Sequence, residues 1–178
     1  MASSPLRTRF HEAGHAVIGV RGGWHCTSVL VAGLGEAYHG ASGFGLLKHP
    51  PIIDTPVRGE LRERVSSRVR LKVAGEIAAV KVTGERWDVG CWADYHGSPG
   101  DPGARNLAGW LLGTEDPDRI SQAVAEVETQ VAREFDDPIL WAIVEDLAAT
   151  LETTPQMFGA EVEAFFSRHG IPMPRLEL

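Results

Sequence analysis

Cysteine is scarce in this sequence, and its scarcity excludes two classes of small stabilised domain. The chain has 178 residues and only two cysteines, Cys26 and Cys91. With at most one possible disulfide, it is not a disulfide-stabilised scaffold. Neither cysteine belongs to a Cys-x-x-Cys pair, so a zinc knuckle built from thiolates is excluded as well.

The sequence also lacks an excess of basic residues. Lys and Arg number 17 against 24 Asp and Glu, which gives a formal net charge of −7. Proteins that bind nucleic acid neutralise phosphates with a surplus of positive charge. The densest Arg stretch, residues 58–70, is interrupted by Glu60 and Glu63 and is typical of a solvated helix face. We therefore expect no nucleic-acid partner.

Long hydrophobic runs are missing too. No apolar stretch approaches the roughly 20 residues that a membrane-spanning helix needs. Residues 1–15 become polar and charged where a signal peptide would need its apolar segment. These absences predict a cytoplasmic protein that does not associate with a membrane.

What the chain does have is enough apolar sequence for a packed core. Hydrophobic residues make up 43% of it, which predicts one folded domain over residues 1–178. Apolar spacing and capping residues predict a mainly α-helical fold with a small β-sheet. A Gly-rich connection, 33–43, is expected between two short strands, and a loop of about twenty residues over 83–102. The predicted strands are 27–32 and 44–47, and the predicted helices are 5–21, with Ser4 as its N-cap, and 54–82, with four more opening at Asp101-Pro102, Asp116-Pro117, Asp137-Pro138 and Thr154-Pro155.

The most specific pattern is His11-Glu12-Ala13-Gly14-His15, which matches H-E-x-x-H within the first predicted helix. Histidines at i and i+4 lie on one helical face, at a spacing that suits two ligands of a tetrahedral zinc ion. Glu12 projects beside them, where its carboxylate can take a proton from water. The two imidazoles lie opposite an apolar stripe that begins at Leu6 and Phe10, so we expect them to face a cleft rather than the core.

With its neighbours, this pattern resembles the M41 peptidase family, the zinc protease domain of FtsH-type ATP-dependent proteases. The stretch His11-Glu12-Ala13-Gly14-His15-Ala16-Val17 is similar to the family signature. Four later stretches resemble family segments in the same order: 44–46 the substrate-binding edge strand, 74–79 a Gly-Gly-Arg-Ala-Ala-Glu helix, 97–108 a Gly-x-x-x-Asp segment, and 147–162 the C-terminal helical pair. The resemblance spans nearly the whole chain, although only the first stretch is specific by itself.

The resemblance implies a zinc site made of His11, His15 and an aspartate from the Gly-x-x-x-Asp segment, here Asp101. Asp101 is followed by Ala104 one residue earlier than in the family, and an aspartate before Pro102 is also an ordinary helix cap. Alternative third ligands are Asp94, His96 and Glu76. The family helix also continues into two glutamates, where this chain has Ala79 and Val80.

The implied function is a zinc-dependent metalloendopeptidase in which Glu12 is the general base. Phe44, Gly45 and Leu46 would hold an extended peptide by strand addition. No G-x-x-x-x-G-K-[ST] pattern occurs, so we expect a peptidase domain without the ATPase module. Its substrates would then be short or unfolded peptides, or proteins delivered by an unfoldase in trans. The alternative is a catalytically silent binding or regulatory module that keeps the fold, either with the zinc or without it.

Overall fold

The computed structural model describes residues 4–34, 37–44, 58–86, 92–97 and 101–174. Over these residues the chain is mainly helical with one small antiparallel sheet, as the sequence predicts. None of the helices in these ranges is both long and apolar enough to cross a membrane. In chain order the elements are α1 Pro5–Arg21, β1 Cys26–Leu34, β2 Ala37–Phe44, α2 Arg58–Thr83, α3 Trp92–His96, α4 Ala104–Leu112, α5 Pro117–Glu134, α6 Pro138–Thr153, β3 Gln156–Phe158 and α7 Ala160–Arg168.

Helix α1 begins and ends as the sequence predicts, but it is buried on more faces than expected. The Ser4 hydroxyl accepts a hydrogen bond from the Arg7 amide, and Pro5 occupies the first turn. Every residue over 12–20 is buried, because α1 packs against α2, α6 and β1. Leu6, which begins the predicted apolar stripe, is 43% exposed. The predicted division into a core face and an open face is therefore wrong for this helix.

The approach of α1 to α2 depends on a glycine inside the H-E-x-x-H pattern. A Cβ at Gly14 would lie 2.6 Å from the Ala74 carbonyl oxygen and 2.7 Å from the Ala78 Cβ. Only a residue without a side chain allows the two backbones to come this close. The small residues on both helices thus bring the histidine-bearing face of α1 against the middle of α2.

The sheet has the order β2-β1-β3, with both pairings antiparallel. Val31 pairs with Gly40 on one side of β1, and Val29 pairs with Met157 on the other. Most of the segment predicted as a Gly-rich connection is therefore strand β2, because pairing with β1 outweighs the low strand propensity of glycine. The predicted second strand contributes only its first residue, Phe44, and residues 45–47 lie outside the described ranges.

Two of the four later helix starts are as predicted and two are wrong. Asp116 and Asp137 cap α5 and α6 with their carboxylates. Helix α4 begins only at Ala104, after Gly103, because the Asp101 carboxylate is engaged elsewhere. Residues after Pro155 first form β3, which takes the open side of β1, so α7 starts at Ala160. The predicted long loop contains the short helix α3.

The core draws on α1, β1, the buried face of α2 and each helix from α4 to α7. Its largest fully buried side chains include Phe135, Phe165 and Phe166. Trp141 is half-buried and stacks on Phe10, with 5.7 Å between the ring centroids. Trp110 of α4 is 54% exposed.

Candidate metal centre

Three side chains converge between α1 and α3. His11 Nε2 and His15 Nε2 are 3.0 Å apart. Asp94 Oδ2 lies 3.2 Å from His11 Nε2 and 3.3 Å from His15 Nε2. We call these three residues the His-His-Asp cluster. Within the described ranges it is the one group of three or more His, Cys, Asp or Glu side chains whose ligand atoms come close enough to share a metal ion.

The spacing of the cluster suits a tetrahedral zinc ion. Zinc bonds to nitrogen and oxygen of about 2.0 Å place neighbouring ligand atoms roughly 3.3 Å apart at a tetrahedral angle. The three distances in the cluster are 3.0, 3.2 and 3.3 Å. Two imidazoles and one carboxylate are also a donor set found in zinc sites that leave a fourth position open.

The orientation of His15 is set by the backbone of α2. Its Nδ1 lies 2.7 Å from the Leu71 carbonyl oxygen and donates its proton there. That bond fixes the ring so that Nε2 faces His11 and Asp94. The ring of His15 is itself almost fully buried, with 5% of the residue exposed.

Gly75 makes room for this ring. A Cβ at position 75 would lie 2.4 Å from His15 Nε2, far inside van der Waals contact. The glycine therefore allows the buried imidazole to lie directly against α2. The sequence predicted neither this role of Gly75 nor that of Leu71, because each depends on the packing of two separate helices.

Charge in the cluster favours a bound cation. Burial alone would lower the pKa of His15, but the Asp94 carboxylate outweighs it and, with Glu12 and the Leu71 carbonyl, raises that pKa to about 9. Burial alone would raise the pKa of Asp94, but His15 and His11 outweigh it and hold that pKa well below its usual range. Asp94 is therefore ionised at neutral pH, and the site attracts positive charge.

Glu12, the predicted general base, is buried beside the cluster and only 4% exposed. Its charge acts on His15 and also on Cys26 of β1, where burial first and Glu12 in addition raise the thiol pKa to about 12. The carboxylate thus lies within electrostatic reach of both the histidine pair and the sheet.

Asp101, predicted as the third ligand, does not join the cluster. Its Oδ1 lies 2.7 Å from Arg68 Nη2, and its Oδ2 lies 2.7 Å from Lys72 Nζ. Both carboxylate oxygens therefore bind cationic side chains of α2. Asp94, one of the alternatives, is the carboxylate that the structure brings to the histidines.

The other two alternative ligands are placed elsewhere. Glu76 is buried in an ion pair with Arg7. His96 is exposed at the end of α3. The sequence did offer Asp94 as a ligand, because Asp94 and His96 lie close together in the predicted loop. The sequence evidence for Asp94 was, however, no stronger than the evidence for Asp101.

The predicted substrate-binding segment is only partly described. Phe44 is the last residue of β2, and β2 is the outer strand next to β1 in the described sheet. Gly45 and Leu46 lie outside the described residues. In the described sheet β2 pairs with β1 on one side only, and an outer strand of this kind suits strand addition.

In comparisons with known proteins, no protein-family model and no curated protein matches this chain. Inference about function therefore rests on the chemistry of the site.

Proposed function

We propose that this protein is a zinc-dependent metallopeptidase that cleaves short or unfolded peptides. The observation that carries the proposal is the convergence of His11, His15 and Asp94 at tetrahedral ligand spacing beside a buried glutamate. The resemblance of the first helix to M41 peptidases supports the same reading. In this proposal Asp94 takes the place that the resemblance gives to Asp101.

Zinc held by the three side chains would polarise a peptide carbonyl and make a water molecule more acidic. His15 presents Nε2 because its Nδ1 proton is committed to the Leu71 carbonyl. Asp94 is ionised at neutral pH, so with both imidazoles neutral the three ligands would carry one negative charge, which favours a divalent cation.

Glu12 performs the proton transfers. Its carboxylate accepts a proton from the water that attacks the peptide carbonyl and later gives it to the leaving amine. Glu12 is buried, and its charge acts on His15, so it lies within electrostatic reach of the histidine pair. A general base of this kind commonly contributes about 10²–10⁴-fold to the rate.

The peptide would bind along the outer edge of β2. An extended segment can pair there with backbone N–H and C=O groups that β1 does not use. A folded protein offers no such segment, so we propose that its substrates are unfolded or short, or are supplied by an unfoldase in trans.

The test compares the wild type with Glu12→Gln on unfolded casein and a peptide library, after the zinc content of both proteins has been measured. We expect one zinc per chain in both, and a loss of activity of about 10²-fold or more in the variant. Equal inactivity of both proteins at full zinc occupancy would favour the silent binding module. Wild-type protein that does not bind zinc would contradict the metal site itself.

A further inference from the structure

The ion pairs around Asp101 connect it to the candidate ligand Asp94 through one buried amine. Lys72 is 8% exposed and lies on α2. Its Nζ is 2.7 Å from Asp101 Oδ2 and 3.9 Å from Asp94 Oδ1. Asp94 Oδ1 is the oxygen that does not face the histidines. A buried cation is thus shared, unequally, between two carboxylates.

We propose that Asp101 is a positioning residue that acts on the metal through Lys72. By binding the ammonium group, it holds Lys72 away from Asp94 and compensates its charge, and this keeps Asp94 available to a metal ion. The inference rests on the proposed metal site but assigns a different role to the residue that the family resemblance names as a ligand.

The electrostatic reason is the burial of the Lys72 side chain, which is 10% exposed, whereas the Asp101 side chain that binds it is 39% exposed. A lysine ammonium and a divalent cation compete for the same carboxylate, and their repulsion is screened weakly where water is excluded. Arg68 binds the other oxygen of Asp101, so the carboxylate is fixed between two side chains of α2. Without the charge of Asp101, the nearest remaining carboxylate to Lys72 in the described ion pairs is Asp94.

Two roles for Asp101 make opposite predictions for a double variant. If Asp101 works by neutralising Lys72, then Asp101→Asn weakens zinc binding, and adding Lys72→Met restores it because the competing ammonium is gone. If Asp101 is itself a ligand, removal of Lys72 restores nothing. Methionine keeps most of the length and apolar character of the lysine stem, so it suits this buried position.

The experiment measures zinc affinity by competition with a chromophoric chelator at neutral pH, together with the thermal unfolding midpoint of each metal-free protein. We expect Asp101→Asn to bind one zinc about 10- to 100-fold more weakly than the wild type, as for other residues that act through a ligand. We expect Asp101→Asn/Lys72→Met to return to within about threefold of the wild type. Lys72→Met alone should bind at least as tightly as the wild type.

Glu134→Gln is the matched control, because it removes a partly exposed carboxylate from another ion pair with α2, that of Arg70. It should leave zinc affinity unchanged. If Asp101→Asn does not fold, the double variant still distinguishes the two roles. It lacks the Asp101 carboxylate, yet the proposal requires it to bind zinc.

Three results would overturn the inference. If the double variant binds zinc as weakly as Asp101→Asn does, Asp101 is a ligand. If Asp101→Asn binds zinc as tightly as the wild type, Asp101 has no role at the metal. Wild-type protein that binds no zinc would remove the proposed function and this inference together, whereas the first two results leave the metal site standing.

Discussion

Gly75 is the residue at which a single methyl group would reach the His-His-Asp cluster directly. Its missing Cβ leaves the space that the His15 ring occupies, and the clash distance of 2.4 Å involves the nitrogen that faces the other two side chains. Because the ring is buried and tied to the Leu71 carbonyl, it has little freedom to move aside.

We therefore expect Gly75→Ala to weaken zinc binding by at least about tenfold, since displaced ligands lose affinity on that scale. Helix propensity alone would make this substitution stabilising by up to about 1 kcal/mol. A loss of affinity would thus report the clash and not a weaker helix. Arg64→Ala on the exposed side of α2 is the control, and chelator competition is the measurement. Wild-type affinity in Gly75→Ala would show that the ring does not need this space.

At the scale of elements, α3 matters most, because it carries Asp94 of the His-His-Asp cluster and is very short. A helix of five residues, Trp92–His96, is too short to be stable by itself, so contacts must hold it in place. The Tyr95 hydroxyl donates a hydrogen bond to Glu128 of α5, which also binds Arg86. Gly97 and Gly103 lie so close together that a Cβ on either would meet the backbone of the other segment.

Removing the Tyr95 hydroxyl should loosen the position of Asp94. We expect Tyr95→Phe to weaken zinc binding by about tenfold while leaving the ring in place. Arg86→Gln, at a 57% exposed side chain that binds the same carboxylate, should have a much smaller effect. The test is to measure the zinc affinity of both variants and of the wild type. Equal losses of affinity in the two variants would contradict a specific role for the Tyr95 hydroxyl.

At the scale of the whole molecule, a bound metal would join parts of the chain that are distant in sequence. The cluster links α1 to α3, and both lie against α2. A metal that binds only when these helices are together stabilises the folded state by mass action.

We expect zinc at a hundredfold excess over its dissociation constant to stabilise the protein by about 2.7 kcal/mol. For a chain of this size, that raises the unfolding midpoint by about 5–11 °C. A chelator should reverse the shift. Asp94→Asn should unfold at the same temperature with and without zinc, and calorimetry or circular dichroism would follow all four samples. An equal shift in Asp94→Asn would place the stabilising zinc at another site.

Local sequence was sufficient to predict the start of a helix where the capping residue and the proline after it set that start. Ser4 with Pro5, and Asp116 and Asp137 with the prolines after them, predicted three helix starts correctly, because a cap and a proline act within one turn. The same reasoning was wrong at Asp101 and at Pro155. There, side chains of α2 and the open side of β1 offered partners that a local pattern does not contain.

The sequence by itself determined that His11 and His15 lie on one face of a helix with Glu12 next to them, since helix geometry brings residues i and i+4 together. It also determined the mainly helical fold class. Only the tertiary structure decided which aspartate lies beside that pair. Arg68 and Lys72 lie on α2, about thirty residues before Asp101, and their charges bind the Asp101 carboxylate and leave Asp94 facing the histidines. Coulomb attraction depends on distance in space, and that distance is set by how α1, α2 and α3 pack.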